Sequence, residues 1–370
     1  MFKAAKYICL LVLAPAFLSA ADFENALVPE NIIYQEVPAA PKAPLFDRTA
    51  PDYLDYRAAL AYYSDVAYRA APGSEDYLEA YAAGNYLREK VDALEARLRA
   101  AGQPVPVIDR EGAVFKAPSR KVASELKKVF GFGKGTGRLE PVVLKTGFAK
   151  IVYVKGSTPF LVQGDSFLSK GEVILTYDDG PAPGEYSREV AENLRANSSS
   201  AVFFVLGSKL GAQGKAVIKT EAEKGHFVSV HGYFHATEAG KPFTAYSTQK
   251  ILSELGGVAG TITSATGVKP GLFRPPYGII APDAMKAVTG ELGLIPLGWT
   301  IDTLDWSIKS PDELYAKTIA MIKERGKGIV LMHDIHPQSR EVSRRLQTWL
   351  KDNNYKVVSP ERITQAFKAP

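Results

Sequence analysis

The chain holds one cysteine, Cys9, in 370 residues, so no disulfide framework organises it. It also has little apolar sequence of bilayer-spanning length; the candidate at residues 7–17 is too short to cross. Neither sign of charge dominates. The formal net charge is +5, and losing Lys3 and Lys6 with an export segment lowers it by two, too mild a surplus to imply nucleic acid as a partner. Histidine is scarce as well, at five residues. What is present is ordinary for a soluble globular protein, with 46% apolar and 23% charged residues, and the length suits two domains or one large domain with an extension.

Residues 1–20 read as an export signal. Lys3 and Lys6 form its basic end, residues 7–17 its apolar stretch, and Ser19-Ala20-Ala21 its small-residue exit. The segment has no polar face, which argues against an amphipathic first helix. Cleavage removes Cys9, around which no lipid-attachment pattern is seen. The mature chain then needs neither disulfides nor a reducing compartment, as suits an exported protein, periplasmic or secreted, with no integral membrane segment after cleavage.

Residues 21–50 are proline-rich and without periodicity, an extended lead-in to an N-terminal accessory region at 51–168. Within that region Leu87, Val91, Leu94 and Leu98 recur at four, three and four residues, a helical stripe. Pro72 and Gly73 divide residues 51–102 into two helices, expected to be an antiparallel pair. The eight tyrosines from Tyr53 to Tyr86 suit either helix packing or a sugar-stacking surface. From 105 to 167 short β-rich pieces follow, such as 142–144 and 150–154. Lys116, Arg120, Lys121, Lys127, Lys128, Lys134 and Arg138, with Glu125 the acid among them, read as a solvated face, a linker or a stripe for an anionic envelope polymer.

From 169 to 370 the pattern becomes regular. Apolar strands at 173–177, 201–206, 227–230, 272–274, 295–300, 329–332 and 356–358 alternate with helical segments. That order implies an α/β fold, a (β/α) barrel of about seven parallel strands, preceded by a smaller N-terminal α+β region. Catalytic groups of such barrels come from the carboxyl ends of strands. Here Asp178 and Asp179 follow the first strand, His231 the third, Arg274 the fourth, Asp305 the fifth and His333 the sixth, so all converge on one rim.

Four of the five histidines form two clusters, His231 with His235 and His333 with His336, while His226 precedes a strand and reads as structural. Two imidazoles four residues apart reach one ion from a helical turn or a tight loop. One aspartate from the Asp178–Asp179 pair completes a three-ligand shell, although Asp-Asp-Gly-Pro is also good turn chemistry. Three protein ligands leave an open position for water, which describes a metallohydrolase. In Phe-Arg-Pro-Pro-Tyr-Gly two prolines stiffen the loop that carries Arg274 and Tyr277.

Thr176-Tyr177-Asp178-Asp179-Gly180, residues 231–235, Arg274-Pro275-Pro276-Tyr277-Gly278, Asp302-Thr303-Leu304-Asp305-Trp306 and Leu331-Met332-His333-Asp334 resemble, in order, the five motifs of the polysaccharide deacetylases, the family 4 carbohydrate esterases with a NodB-type domain. The resemblance covers about residues 171–370. It implies a distorted (β/α) barrel in which Asp179, His231 and His235 hold the metal and Asp178 is the general base. Arg274 orients that base, and the Tyr277 amide helps to stabilise the oxyanion. His333 is the general acid, held by Asp305, and Trp306 and Leu331 enclose the acetyl methyl group. The ion expected is Zn2+, with Co2+ or Ni2+ also accepted by such ligands.

The substrate expected is peptidoglycan N-acetylglucosamine, followed by chitin-like oligomers and acetylated xylan. A non-catalytic glycan-binding module on the same barrel is the alternative, although such a descendant normally loses an acid, base or ligand. The chain departs from the family pattern at Gly232, where Ser or Thr is usual, and at Tyr177 in place of Phe. Gly232 is expected to loosen the site. His336 has no assigned role, and oligomeric state is not legible.

Overall fold

The computed structural model describes residues 32–33, 49–71, 73–105, 107–108, 117–130, 142–145, 148–154, 158–235 and 242–368. The expected export signal and most of the lead-in lie outside the described residues, as do Pro72, Lys116, Lys134 and Arg138.

The N-terminal region begins with β1 (Ile32–Ile33), then α1 (Thr49–Arg69) and α2 (Glu75–Ala100), and β2 (Val107–Ile108), which pairs antiparallel with β1. The chain reverses between the helices through Gly73 at φ 80°. The Ser74 hydroxyl then caps α2 by accepting the Tyr77 amide at 3.3 Å. Leu87, Val91 and Leu98, the expected stripe, are buried in one cluster with Leu60 and Tyr63 of α1. Six of the eight tyrosines are also buried, with Tyr68 alone exposed, so this surface packs rather than stacks sugars.

Next comes α3 (Arg120–Phe130), which buries Val122, Leu126 and Phe130 and leaves Lys127 and Lys128 in solvent. Its Glu125 accepts hydrogen bonds from the Tyr56 and Tyr86 hydroxyls, fastening α3 to the helix pair. β3 (Val142–Lys145), β4 (Ala149–Val154) and β5 (Thr158–Gln163) form an antiparallel meander.

The C-terminal region alternates β6 (Glu172–Gly180), α4 (Tyr186–Ala196), β7 (Ala201–Leu206), α5 (Ala212–Glu223), β8 (Phe227–Gly232), α6 (Thr248–Thr266), β9 (Leu272–Phe273), α7 (Pro282–Ala287), β10 (Ile295–Pro296), β11 (Ile301–Asp302), α8 (Pro311–Arg325), β12 (Gly328–Met332), α9 (Pro337–Asp352), β13 (Lys356–Val357) and α10 (Glu361–Lys368). Helix ends follow their local chemistry. In α8, Ser310 caps the start, Pro311 takes the first turn, and Gly326 closes the end at φ 72°.

The strands run parallel in the order β10-β9-β8-β7-β6-β12-β11. Every residue of β7 and β12 is buried, as expected for strands covered on both faces. The edge strands β10 and β11 are joined by residues 297–300 alone. Five Cα steps reach at most about 19 Å, whereas seven flat strands would set the edges roughly 29 Å apart. The sheet therefore has to curl, which is the distorted barrel expected.

Two expectations about strands need correction. The single strand expected at 295–300 is instead the pair β10 and β11, because the main chain between them has other partners. The Leu297 and Gly298 carbonyls accept from Arg274, and the Gly298 amide donates to Gln163 of β5. The last expected strand, β13, joins the sheet outside its linear strand order, pairing parallel with the first residues of β6, Glu172 and Val173. The N-terminal region packs onto this barrel: Ile280 donates its amide to the Pro159 carbonyl of β5, and Ser307 meets Ser64 of α1 through their hydroxyls. No helix among the described residues is long and apolar enough to cross a membrane.

Candidate active site

The end of β6 is irregular where its carboxylates stand. Asp178 pairs with Phe204 and Gly180 with Val205 of β7, leaving Asp179 as an inserted residue at φ 69°. A bulge of this kind re-aims a side chain beside a functional site, and Lys209 holds the turned main chain by donating to the Asp179 carbonyl at 2.6 Å. The Asp179 Oδ1 atom then lies 3.3 Å from His231 Nε2 and 3.6 Å from His235 Nε2. Asp179 Oδ1 is buried and has no hydrogen-bond partner.

Both imidazoles are held by their other nitrogen. His231 donates from Nδ1 to the Arg274 carbonyl at 2.7 Å, and His235 donates from Nδ1 to Glu89 at 2.6 Å, so Nε2 is the nitrogen each ring turns to Asp179 Oδ1. Between them, Gly232 has no room for a side chain, because a Cβ would come within 2.7 Å of the Phe234 carbonyl oxygen. The loop is thus tighter than the glycine alone suggested.

Beside the histidines, with its Oδ2 3.9 Å from His231 Nε2, Asp178 accepts Arg274 Nη1 at 2.7 Å. Arg274 is fully buried and immobilised by further bonds to Thr176 Oγ1 and the Leu297 and Gly298 carbonyls. Tyr277 turns the following loop in the left-handed region, at φ 59°. His333 donates from Nδ1 to Asp305 Oδ1 at 2.7 Å, while its own amide donates to Oδ2. Ser339 and Gln338 of α9 hold the Asp305 carboxylate and carbonyl in turn. Burial alone would lower the His333 imidazole, but the Asp305 carboxylate outweighs it and the net shift is upward from 6.5. Trp306 and Leu331 are wholly buried. His226 sits apart, bonded to the Ala191 carbonyl and the Ala201 amide, the structural place expected for it.

A helix that the motifs did not announce crosses this cluster. Tyr77 of α2 donates to Asp302 at 2.9 Å, Tyr81 meets Trp306 edge-on, and Gly84 lies so close to Trp306 that a Cβ would stand 2.3 Å from the ring. Arg88 donates to Asp179 Oδ2 at 2.9 Å and to His336 Nε2 at 3.2 Å. Burial first, and the Arg88 cation next, push His336 well below 6.5, so this neutral ring accepts. Burial opposes the charge of Asp179, yet His235 and Arg88 hold its carboxyl well below the usual range. The one sequence signal was the 4-3-4 spacing of Tyr77, Tyr81, Gly84 and Arg88, a second stripe on α2.

Asp179 Oδ1, His231 Nε2 and His235 Nε2 lie within 4.8 Å of one another. Neighbouring ligands of a tetrahedral ion with bonds of about 2.0–2.1 Å stand about 3.3 Å apart, so the three atoms fit a divalent metal with a position left open. The orphaned, buried Asp179 oxygen is the atom such an ion would satisfy.

Sequence comparison finds proteins that this chain resembles. The polysaccharide deacetylase family model matches residues 167–295. The chain is 32% identical over 191 residues to a peptidoglycan-N-acetylglucosamine deacetylase of Listeria monocytogenes, covering 52% of this chain and 38% of that one. It is 31% identical over 188 residues to a peptidoglycan-N-acetylglucosamine deacetylase of Bacillus cereus, covering 49% of this chain and 66% of the relative. Chitin deacetylase 1 of Cryptococcus neoformans is also 31% identical over 188 residues, at 46% and 38% coverage. The chain thus spans less than two thirds of the length of these relatives.

Proposed function

Through residues 167–295 the chain belongs to the polysaccharide deacetylase family, and from that premise we propose that it is a metal-dependent hydrolase removing acetyl groups from N-acetylated sugars of an envelope polysaccharide. Peptidoglycan N-acetylglucosamine is the preferred substrate, and Zn2+ the preferred ion. The export signal read at residues 1–20 and the cell-wall substrates named for the bacterial relatives support action outside the cytoplasm.

The observation that carries this reading is the Asp179, His231 and His235 cluster with its orphaned buried oxygen, flanked by Asp178 on Arg274 and by His333 on Asp305. Asp179, His231 and His235 would hold the ion, which when bound would supply Lewis acidity to the acetyl carbonyl and the attacking water. Asp178, aligned by Arg274, takes a proton from the water as its oxygen bonds to the carbonyl carbon. The Tyr277 amide donates to the resulting oxyanion. His333, held by Asp305, delivers a proton to the sugar nitrogen as the carbon–nitrogen bond breaks. Acetate and a free amino sugar leave, with Trp306 and Leu331 as walls around the methyl group.

The test is acetate release by zinc-loaded protein from peptidoglycan, chitin oligomers and acetylated xylan, with metal content measured on the same sample. Release from peptidoglycan that a chelator stops supports the reading. Release from xylan alone overturns the substrate preference, and equal release with and without metal overturns the mechanism.

A further inference from the structure

Two of the three metal-facing side chains are held from outside the barrel, by consecutive residues of one helix. His231 has a main-chain carbonyl of the barrel, Arg274 O at 2.7 Å, to keep its proton on Nδ1. His235 instead uses the Glu89 carboxylate at 2.6 Å. Likewise Asp179 gives one oxygen, Oδ2, to Arg88 at 2.9 Å and keeps only Oδ1 directed at the imidazoles.

We infer that Glu89 and Arg88 of α2 are positioning residues of the metal centre, Glu89 fixing the tautomer and direction of His235 and Arg88 restricting Asp179 to one ligating oxygen. The inference rests on the metal-site reading above. An imidazole ligates through Nε2 only while Nδ1 carries the proton, and a carboxylate partner enforces that state and strengthens the ligand. A carboxylate with both oxygens free can bind an ion twice and fill the position that water and substrate need; the guanidinium removes that choice. Glu89 also accepts the Tyr277 hydroxyl, so one carboxylate ties the ligand to the turn that bears the oxyanion donor. Arg88 reaches His336 as well, whose ring lies 6.0 Å from that of His333. One turn of α2 therefore touches the ligands and the flank of the proton donor together. Gly84, one turn earlier, sets the depth at which it does so.

The test uses the full chain stripped of metal. Zinc affinity is measured by calorimetry, and Co2+ absorption reports the coordination, for wild type, Glu89→Ala, Glu89→Gln and Arg88→Met, with His235→Ala as control. Glu89→Ala is expected to weaken zinc binding by about 10–100-fold. Glu89→Gln, whose amide oxygen still accepts from Nδ1, is expected to recover most of that loss. Arg88→Met is expected to change the Co2+ band pattern as Asp179 turns to bind through both oxygens. Folding is checked by circular dichroism, and the exposed edge of Glu89 makes its variants tolerable. Wild-type zinc affinity and Co2+ spectra in both Glu89→Ala and Arg88→Met overturn the inference. If His235→Ala also binds as wild type, the metal-site reading falls first and this inference with it.

Discussion

The barrel rim and the helix laid across it build one cluster by different means. Rim residues reach it through local departures from regular structure, with Asp179 on a bulge and Tyr277 in a left-handed turn, and each departure belongs to a short motif. Helix α2 reaches it by unbroken periodicity, Tyr77, Tyr81, Gly84 and Arg88 facing inward at four, three and four residues. Chemistry written in a turn is local, whereas chemistry written on a helix face depends on what the fold sets opposite. On the proposed reading, the rim supplies the reacting groups and the helix supplies their restraint.

The sharpest way to break that division is Asp178→Asn. Loss of a general base is expected to lower kcat by roughly 10²–10⁴-fold while zinc affinity holds, and a variant that keeps full acetate release would remove Asp178 from the reaction. Asp305→Asn should act on the pH profile. The Asp305 carboxylate raises the His333 imidazole, so its removal lowers that pKa, the proton donor is lost at lower pH, and the alkaline limb of activity moves towards acid. An unmoved alkaline limb would separate His333 from the rate.

Gly84→Ala tests the helix side. A Cβ 2.3 Å from Trp306 is expected to cost about 1–3 kcal/mol of overpacking, against a gain of about 0.5–1 kcal/mol in helix propensity, so a lower thermal midpoint should follow. A raised midpoint would mean that the helix floats free of the barrel. The smallest effect belongs to Arg99→Ala, which removes an exposed pair with Glu95 on the same helix. It should change stability by under about 0.5 kcal/mol, and a larger loss would reveal a partner that packing does not show.

Much of the barrel was legible because parallel strands buried on both faces appear as short apolar runs, and β7 matches its run in full, Ala201–Leu206. The clustering of the expected site residues was legible because polar residues at strand ends have few structural reasons to gather. The split between β10 and β11 was not, since it depends on Arg274 taking carbonyls from a loop 23 residues away. Arg88 and Glu89 were hidden for a related reason. A lone Arg-Glu step in a helix reads as solvated surface, and only its partner 91 residues on, Asp179, makes it part of a site. The polar residues Glu79, Asn85 and Arg88 all lie buried on α2, which disguised a helix enclosed on several sides as one with a wet face.

The contact at Gly84 has a consequence for selectivity. Behind the indole of Trp306 stands main chain, which has no rotamers with which to retreat. On the proposed reading, the wall around the acetyl methyl group cannot recoil, so a propionyl or butyryl amide of the same sugar would meet a hard stop. Discrimination by acyl length would then originate in a backbone outside the barrel.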